Sequence, residues 1–281
     1  DYASAAAFTA RVRAYLQRAR EQGWIGERTV AVLPEHIGSW LVAAGERPAV
    51  YSAATIAEAM RPLALRHLGP FLIELLRARE PDRPTAALFR VKAGQMARMY
   101  NAAFASLARE FGITIVAGSI VLPAPAVIDG QVAAGKGALY NTAFVFQPGG
   151  RAHASPVRKF APIDSELPFI TPAAPEELPV FDTPAGKLGV LVCADAWHPE
   201  AYRRLKSQGV ELVAVPSASS HGEIWEKAWG GYNGRAAPAD VDPGDAGRLT
   251  ERQAWGKYAL AGRITSAGAQ AGINVFLYGD L

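Results

Sequence analysis

The sequence predicts an α/β protein that folds as one layered domain. Helical and strand patterns alternate from one end of the 281 residues to the other, as in proteins whose helices cover sheets. Internal repeats and low-complexity linkers are absent from the sequence, and 50% of the residues are hydrophobic, which is enough for a large core. We therefore expect residues 1–281 to form a single domain.

The first part of the chain is predicted to be mostly helical. Residues 29–33 are an apolar run between turn residues, which indicates a short buried strand. Pro62 and the pair Gly69-Pro70 are expected to interrupt the second helical stretch. Apolar side chains recur with helical spacing in residues 5–23, 55–79 and 93–111.

Strand patterns dominate the second part of the chain. Two helices are expected there, over residues 198–208 and 250–272. The segment 217–247 is rich in Gly, Ala, Pro, Asp and Trp and shows no period, so we predict a long loop. Apolar runs bounded by Gly and Pro predict strands at residues 113–122, 138–146, 157–160, 188–193, 211–216 and 274–281.

Composition excludes several functional classes. The net charge is only +3, and the arginines are spread over helical patterns, so we expect no nucleic-acid partner. No apolar run approaches the ~20 residues that span a bilayer, and we expect no membrane partner. The single cysteine excludes an intrachain disulfide. The lack of a signal-peptide pattern predicts a cytoplasmic location.

Cys193 is the candidate nucleophile. A lone cysteine is most often a small buried hydrophobe. This one ends an apolar strand, and a helix is predicted to begin at His198-Pro199-Glu200. Backbone N–H groups and the helix dipole at such a strand-to-helix turn stabilise a thiolate and a developing oxyanion. The sequence therefore favours thiol chemistry here.

A thiol nucleophile needs a proton acceptor and an oxyanion stabiliser. Glu35 follows strand 29–33 and Pro34, so it lies at the carboxyl end of a buried strand. Lys159 follows strand residues and would supply a positive charge if it pointed inward. The alternatives are an exposed loop acid and a snorkelling surface lysine. His198 is a second candidate base, although it lies very near Cys193 along the chain.

Three segments resemble the catalytic elements of the nitrilase (carbon–nitrogen hydrolase) superfamily. Leu33-Pro34-Glu35 resembles its Pro-Glu strand end, and Arg158-Lys159-Phe160 resembles its Arg-Lys element. Residues 181–195 are similar to its cysteine segment, including the Cys-x-Asp step. The elements follow the family's order, and the resemblance covers nearly the whole chain. Further similar segments are residues 116–123, Tyr140-Asn141-Thr142, Pro199-Glu200 and residues 215–218.

The resemblance implies a four-layer α-β-β-α sandwich, with two mixed sheets face to face and helices outside. It implies that no metal or organic cofactor is needed. It also implies a homodimer or higher homo-oligomer, with the helix after Cys193 at the interface. Compared with the family, we expect the chain to lack the first strand and the C-terminal strands.

The resemblance also assigns roles. Glu35 is expected to be the general base, Lys159 the oxyanion stabiliser and Cys193 the nucleophile, with the Ala194 N–H as second oxyanion donor. A second glutamate that holds the lysine is expected at Glu166, ahead of Glu176 and Glu177. The implied reaction is hydrolysis of an amide, with water, through a thioester. Candidate residues for the substrate pocket, or for packing the long loop, are Trp197, His198, Trp225, Trp229 and Tyr232.

Five other functions compete with the amide hydrolase. On the same fold, the chain could be a nitrile hydrolase or an N-acyltransferase. The step from Cys193 to Trp197 does not resemble the Cys-Trp-Glu step of nitrile-cleaving members, which favours amides. A serine hydrolase using His221 lacks a G-x-S-x-G elbow, and a metal hydrolase lacks a His-x-x-x-His spacing. A catalytically silent binding protein is the non-enzyme alternative. The candidate serines are Ser217, Ser219 and Ser220.

Overall fold

A computed structural model describes residues 2–219 and 222–277 of the chain. Its helices are α1 (Ala5–Glu21), α2 (Pro48–Tyr51), α3 (Ile56–Arg66), α4 (Leu68–Arg77), α5 (Arg83–Phe111), α6 (Pro199–Ser207), α7 (Glu251–Tyr258) and α8 (Leu260–Ala267). Its strands are β1 (Val30–Val32), β2 (Thr114–Pro123), β3 (Ala126–Ile128), β4 (Gln131–Ala133), β5 (Leu139–Phe146), β6 (Val157–Arg158), β7 (Val180–Thr183), β8 (Gly186–Val190), β9 (Leu212–Ala218) and β10 (Ala271–Leu277).

The strands form two mixed four-stranded sheets and one small hairpin. The first sheet has the order β1-β2-β5-β6, with β1 parallel to β2 and the other neighbours antiparallel. The second has the order β10-β9-β8-β7, in which only the β8–β7 pair is antiparallel. The hairpin pairs β3 with β4.

Two hydrophobic cores hold the layers together. Phe8 of α1 and Phe104 of α5 pack on the outer face of the first sheet. Val116 and Val145 of the first sheet share a second core with Val213 of the second sheet. That core also includes apolar residues of α6 and α8, which cover the other face of the second sheet. The predicted α/β fold and its four-layer α-β-β-α arrangement are therefore confirmed.

Helix α5 begins earlier than its apolar pattern predicts. The pattern placed the start near Ala93, whereas the helix starts at Arg83. The Asp82 side chain accepts the Thr85 N–H at 3.1 Å, and a proline occupies the first turn. Both are ordinary helix-start signals. Gly112, with φ of 65°, ends the helix where the sequence predicted.

Two predicted helix boundaries were wrong. Pro62 lies inside α3, and the chain breaks instead at His67, between α3 and α4. The proline removes one intrahelical bond, to the carbonyl of the exposed Glu58, which water can satisfy. The predicted helix 250–272 is two helices separated at Ala259. Gly262 permits this corner, because a Cβ there would lie 1.9 Å from the Lys257 carbonyl oxygen.

In its described residues between 219 and 247, the long segment after β9 contains two short 3₁₀ turns and no α-helix or strand. The buried Asp245 carboxylate holds it in place by accepting bonds from Tyr258 Oη at 2.5 Å, and from Lys257 and Arg248. Ser220 and His221 lie outside the described residues, as do residues 278–281 of the predicted last strand. Among described residues, no helix is long and apolar enough to cross a membrane.

Gly118 lets the end of β1 approach β2 closely. It lies at a register shift between Val116 and Ser119 and has φ of 67°. A Cβ at this position would lie 2.1 Å from the Pro34 carbonyl oxygen. Because Pro34 precedes Glu35, this close approach fixes where the Glu35 side chain begins.

Substituting Gly118→Ala should destabilise the protein and displace Glu35. We expect a loss of about 2–4 kcal/mol in the free energy of unfolding, because strain at positive φ adds to a backbone clash. The matched control is Gly112→Ala, where φ is 65° and no atom lies within 4 Å of the added Cβ. Urea unfolding of both variants measures the difference; equal losses would contradict the steric argument.

Candidate active site

Glu35 joins the two sheets at the carboxyl end of β1. Its backbone N–H donates to the Ser217 carbonyl in β9 at 3.2 Å. Its carboxylate is buried, and Oε2 accepts the Ala218 N–H at 3.1 Å. Glu35 is therefore fixed by contacts with the second sheet as well as with the first.

A buried polar network surrounds the Glu35 carboxylate. Lys159, directly after β6, donates from Nζ to Glu35 Oε1 at 2.8 Å and to Glu166 Oε2 at 2.6 Å. Asn141 of β5 donates from Nδ2 to Oε1 of the same two glutamates, at 2.9 and 2.8 Å. All four residues are buried. Two carboxylates thus share one ammonium group and one amide.

Burial and charge act in opposite directions on this network. Burial lowers the pKa of Lys159, but the carboxylates of Glu166 and Glu35 outweigh it and hold that pKa well above its usual value. Burial raises the pKa of Glu166, yet Lys159 and His36 bring it far below its usual value. The lysine is consequently a permanent cation and Glu166 a permanent anion at neutral pH.

Cys193 lies three residues beyond β8 and opens a 3₁₀ turn, Cys193–Trp197. Its φ is 52°, a left-handed conformation that a non-glycine residue rarely adopts and that costs energy. The Ala218 N–H, which donates to Glu35, also faces the buried Cys193 thiol. Charges on Glu35 and Lys159 act on this thiol. The structure thus brings the three predicted catalytic residues together.

The thiol is neutral in this environment. Burial and the Glu35 charge raise the pKa of Cys193, and the opposing effects of Lys159 and the Ala218 N–H are smaller. The thiolate that the sequence favoured is therefore not the resting form, and a contribution from the helix dipole stays a prediction. Helix α6 begins at Pro199, after the 3₁₀ turn Cys193–Trp197. The thiol must lose its proton to a base as it reacts.

Asp195 ties the cysteine turn to the lysine segment. Its Oδ1 accepts the N–H groups of Phe160 at 3.0 Å and Ala161 at 2.8 Å, and its Oδ2 accepts that of Val192 at 3.1 Å. Burial raises the pKa of Asp195 to about 7, although Lys159 and these donors lower it. The ionised form is the one that accepts all three bonds.

One backbone donor and one side-chain donor near Cys193 each have an N–H group without an acceptor among the described residues. Within residues 2–219 and 222–277, the Ala194 N–H has no hydrogen-bond acceptor. Among the same described residues, Lys159 donates two of its three N–H groups, one to Glu35 and one to Glu166, and the third has no acceptor. Both donors belong to segments held together by Asp195. Their predicted role as oxyanion donors stays a prediction.

The structure separates the candidates for the second glutamate. Glu166 contacts Lys159 directly, and its Oε2 also accepts the Ile163 N–H at 3.0 Å. Glu176 and Glu177 lie instead in a 3₁₀ turn, where Glu177 pairs with Arg158 at 3.5 Å. The geometry therefore favours Glu166.

The predicted pocket aromatics form one cluster on the long loop. Trp197 stacks on Trp229 with ring centroids 5.6 Å apart, and the Tyr232 hydroxyl donates to the Trp197 carbonyl at 2.9 Å. His198 contacts the rings of Phe160 and Tyr232, and burial lowers its pKa to about 4. Phe160 follows Lys159, so the cluster borders the site, and a pocket role stays a prediction.

Trp225 lies at the far side of the same cluster, where its ring packs against Trp255 and Phe276. It lines a cavity of about 450 Å³ beside β10. Ser217, a candidate serine nucleophile, is fully buried, and its Oγ accepts a bond from Asn274 at 2.8 Å. Neither residue contacts the polar network around Lys159 through a described side chain.

Sequence reasoning missed two members of the network, Asn141 and His36. Asn141 was noted only as part of the Tyr-Asn-Thr segment. The available signal was its place on a predicted strand, β5. The backbone carbonyl of Asn141 accepts the Lys159 N–H at 2.8 Å. His36 Nε2 lies 3.5 Å from Glu166 Oε1 and 3.9 Å from Glu35 Oε1. Its adjacency to Glu35 was the available signal.

Glu35, His36 and Glu166 have ligand atoms within 4.8 Å of one another, a spacing that can hold a metal ion. The Lys159 ammonium already lies between the two carboxylates, at 2.8 and 2.6 Å. A divalent cation at this point would have to displace a buried, charge-compensating lysine. The donor set therefore fits an ion-paired lysine better than a metal.

Comparison with known proteins identifies the family. The carbon-nitrogen hydrolase profile matches residues 9–235, and the chain belongs to that family. Deaminated glutathione amidase of Synechocystis sp. (strain PCC 6803 / GT-S) is 31% identical over 122 residues, 40% of this chain and 42% of the relative. Nitrilase 2 of Arabidopsis thaliana is 33% identical over 90 residues, 32% and 26% of the two chains. The chain thus spans less than half the length of these relatives.

Solved structures show a distant likeness. An amidase from Nesterenkonia sp. is 20% identical, with a TM-score of 0.46, over 79% of this chain and 62% of that one. Saccharomyces cerevisiae Nit3 is also 20% identical, with a TM-score of 0.45, over 77% and 60%.

Replacing Asp195→Asn should loosen the cysteine turn. An amide offers one acceptor oxygen and presents an NH₂ group to a backbone N–H, so at least one of the three bonds is lost. We expect a loss of about 1–3 kcal/mol in the free energy of unfolding. The matched control is Asp182→Asn, because Asp182 is exposed on β7. Urea unfolding tests this, and unchanged stability would contradict the tether.

Proposed function

We propose that this protein hydrolyses a non-peptide carbon–nitrogen bond, most readily an amide, through a thioester on Cys193. The observation that carries the proposal is the convergence of a buried acid, a buried ammonium group and a buried thiol. Glu35 and Lys159 are in contact at 2.8 Å, and both act electrostatically on Cys193. Family membership supports the same class of reaction.

Acylation begins with proton transfer. Glu35 accepts the thiol proton while Sγ of Cys193 attacks the amide carbon, so no free thiolate is needed. The free N–H of Lys159 and the Ala194 N–H stabilise the oxyanion. The tetrahedral intermediate collapses, the C–N bond breaks, and Glu35 returns the proton to the leaving amine or ammonia.

Deacylation reuses the same groups. Glu35 takes a proton from water, whose oxygen attacks the thioester carbon, and the oxyanion again binds the two donors. Collapse expels the Cys193 sulfur, which recovers the proton from Glu35 as the carboxylic acid leaves. Glu166 takes no proton in this scheme. Its permanent negative charge keeps Lys159 protonated and oriented.

We prefer amide hydrolysis to two related reactions, nitrile hydrolysis and acyl transfer to an amine. A nitrile hydrolase would use the same thiol, and an N-acyltransferase would replace water by an amine. The turn after Cys193 carries Ala194 rather than the tryptophan of the Cys-Trp-Glu step, which favours amides. Ammonia release from paired amide and nitrile substrates separates the first two, and hydroxamate formation with hydroxylamine detects transfer.

The main test traps the acyl-enzyme. Intact-mass measurement after acid quench, on a panel of aliphatic amides, ω-amides and N-carbamoyl amino acids, should show an acyl adduct on Cys193. Cys193→Ala should abolish both the adduct and turnover. Glu35→Gln should lower kcat/KM by about 10³-fold, because it removes the base.

Glu177→Gln is the matched control for Glu35→Gln, since Glu177 is exposed and lies outside the network. It should leave turnover unchanged. Turnover by Cys193→Ala, or full activity of Glu35→Gln with any substrate of the wild type, would refute the proposed mechanism. Binding of these amides with neither adduct formation nor turnover would favour the silent binding protein.

Self-association is part of the same proposal. We infer a homodimer or higher homo-oligomer with α6 at the interface, on the strength of the family resemblance. Light scattering of the purified chain measures its mass in solution, and a monomeric mass would refute it. A cytoplasmic location also stays a prediction.

A further inference from the structure

His36 combines an unusual backbone with a position beside both glutamates. Its φ is 61°, and its N–H donates to Ser119 Oγ at 2.9 Å. Its ring nitrogen Nδ1 lies 3.1 Å from Ser39 Oγ. These contacts hold the ring so that Nε2 points at Oε1 of Glu166 and Oε1 of Glu35.

The ring is the exposed end of an otherwise buried network. Its side chain keeps 24% of its surface exposed, whereas the side chains of Glu35 and Glu166 keep 2% and 6%. Protons can therefore exchange between this ring and solvent while the carboxylates stay buried. The charged groups that act on His36 are Glu35, Glu166 and Lys159.

Charge balance gives His36 a reason to bind a proton. Glu35 and Glu166 carry two negative charges when ionised, and Lys159 compensates one of them. A second buried negative charge without a partner is costly. Burial lowers the pKa of His36, but the two carboxylates outweigh burial and Lys159 and raise it. An imidazolium at this position would compensate the second carboxylate.

We propose that His36 is a positioning residue for the general base, and that its proton governs how strongly Glu35 attracts the thiol proton. An imidazolium 3.9 Å from Glu35 stabilises the ionised carboxylate and makes it a weaker base. The neutral imidazole removes this effect. This inference rests on the proposed role of Glu35 as base.

The sign of the pH dependence follows. Below the raised pKa, His36 is charged and proton transfer from Cys193 to Glu35 is disfavoured. As pH rises through that pKa, the ring loses its charge and thiol reactivity increases. A histidine with only a structural role would change stability and leave this profile alone.

The test measures alkylation of Cys193 by iodoacetamide, between about pH 5 and pH 9, where histidine titrates. In this reaction Sγ displaces iodide, and the thiol proton leaves through Glu35, so no amide substrate is needed. The variant is His36→Asn. Asparagine tolerates positive φ but is too short to reach the carboxylates.

The result is read as the ratio of variant to wild-type rates at each pH, because the intrinsic ionisation of the thiol cancels. We expect a ratio of about 3–10 in acid that falls to about 1 in base, because removing one nearby positive charge changes the proton-transfer equilibrium by up to about tenfold. His36→Gln should give the same profile. His153→Asn, on a histidine outside the network, should give a ratio of 1 throughout.

A ratio that does not change with pH would overturn the inference. The outcomes separate it from the proposed function. If Glu35→Gln reacts as fast as the wild type, the base role of Glu35 fails. If Glu35→Gln reacts slowly but the His36 ratio is flat, only the role of His36 fails.

An NMR titration of wild-type histidines keeps the inference testable if the His36 variants do not fold. The pKa of His36 should lie above 6.5 and that of His153 below it. Glu166→Gln should lower the pKa of His36 towards 6.5, because it removes one carboxylate. A His36 pKa below 6.5 in the wild type would also overturn the inference.

Discussion

The ion pairs of one buried lysine organise the site. Lys159 lies between the carboxylates of Glu35 and Glu166, and each pair is short because both partners are shielded from water. A buried charge without a partner would cost several kcal/mol, so removing the lysine would leave two buried carboxylates without their shared cation. The three residues follow the end of β1, follow the end of β6 and lie in the segment after β6, and the lysine therefore holds distant parts of the chain in one arrangement.

That arrangement divides the chemistry among groups with different charge states. Lys159 stays protonated and Glu166 stays ionised, while the Cys193 thiol is neutral. Only a group that can gain and lose a proton connects these fixed charges to a reaction, and Glu35 contacts both the lysine and the backbone donor that faces the thiol. Burial thus sets the resting charge states, and the contacts of Glu35 make it the group through which the thiol proton can leave.

The sequence predicted the α/β fold and its strands because those signals are local, whereas the four layers and the roles of Glu35, Lys159 and Cys193 were implied by the family resemblance. Apolar runs gave the strands, and Glu35, Lys159 and Cys193 each follow a strand end. Asn141 lies on a predicted strand and His36 lies next to Glu35, but both were missed because their side-chain contacts with Glu166 join separate parts of the chain, which no local pattern records. The early start of α5 was missed because apolar spacing was given more weight than helix caps. The helical Pro62 was missed because its one lost backbone bond was given more weight than the exposure of Glu58. The charge state of Cys193 depends on burial and on distant carboxylates, which periodicity does not reveal.

The Ala218 N–H, in the last residue of β9, donates to Glu35 and also lowers the pKa of the Cys193 thiol. The long loop starts after that residue, so a movement of the loop can shift the N–H that donates to Glu35. Laboratory evolution that reshapes the loop to admit a new acyl group would therefore also move the Ala218 N–H, which acts on both Glu35 and Cys193. Changes in substrate range and changes in turnover are then coupled, and compensating substitutions would be sought on β9 rather than at the pocket wall.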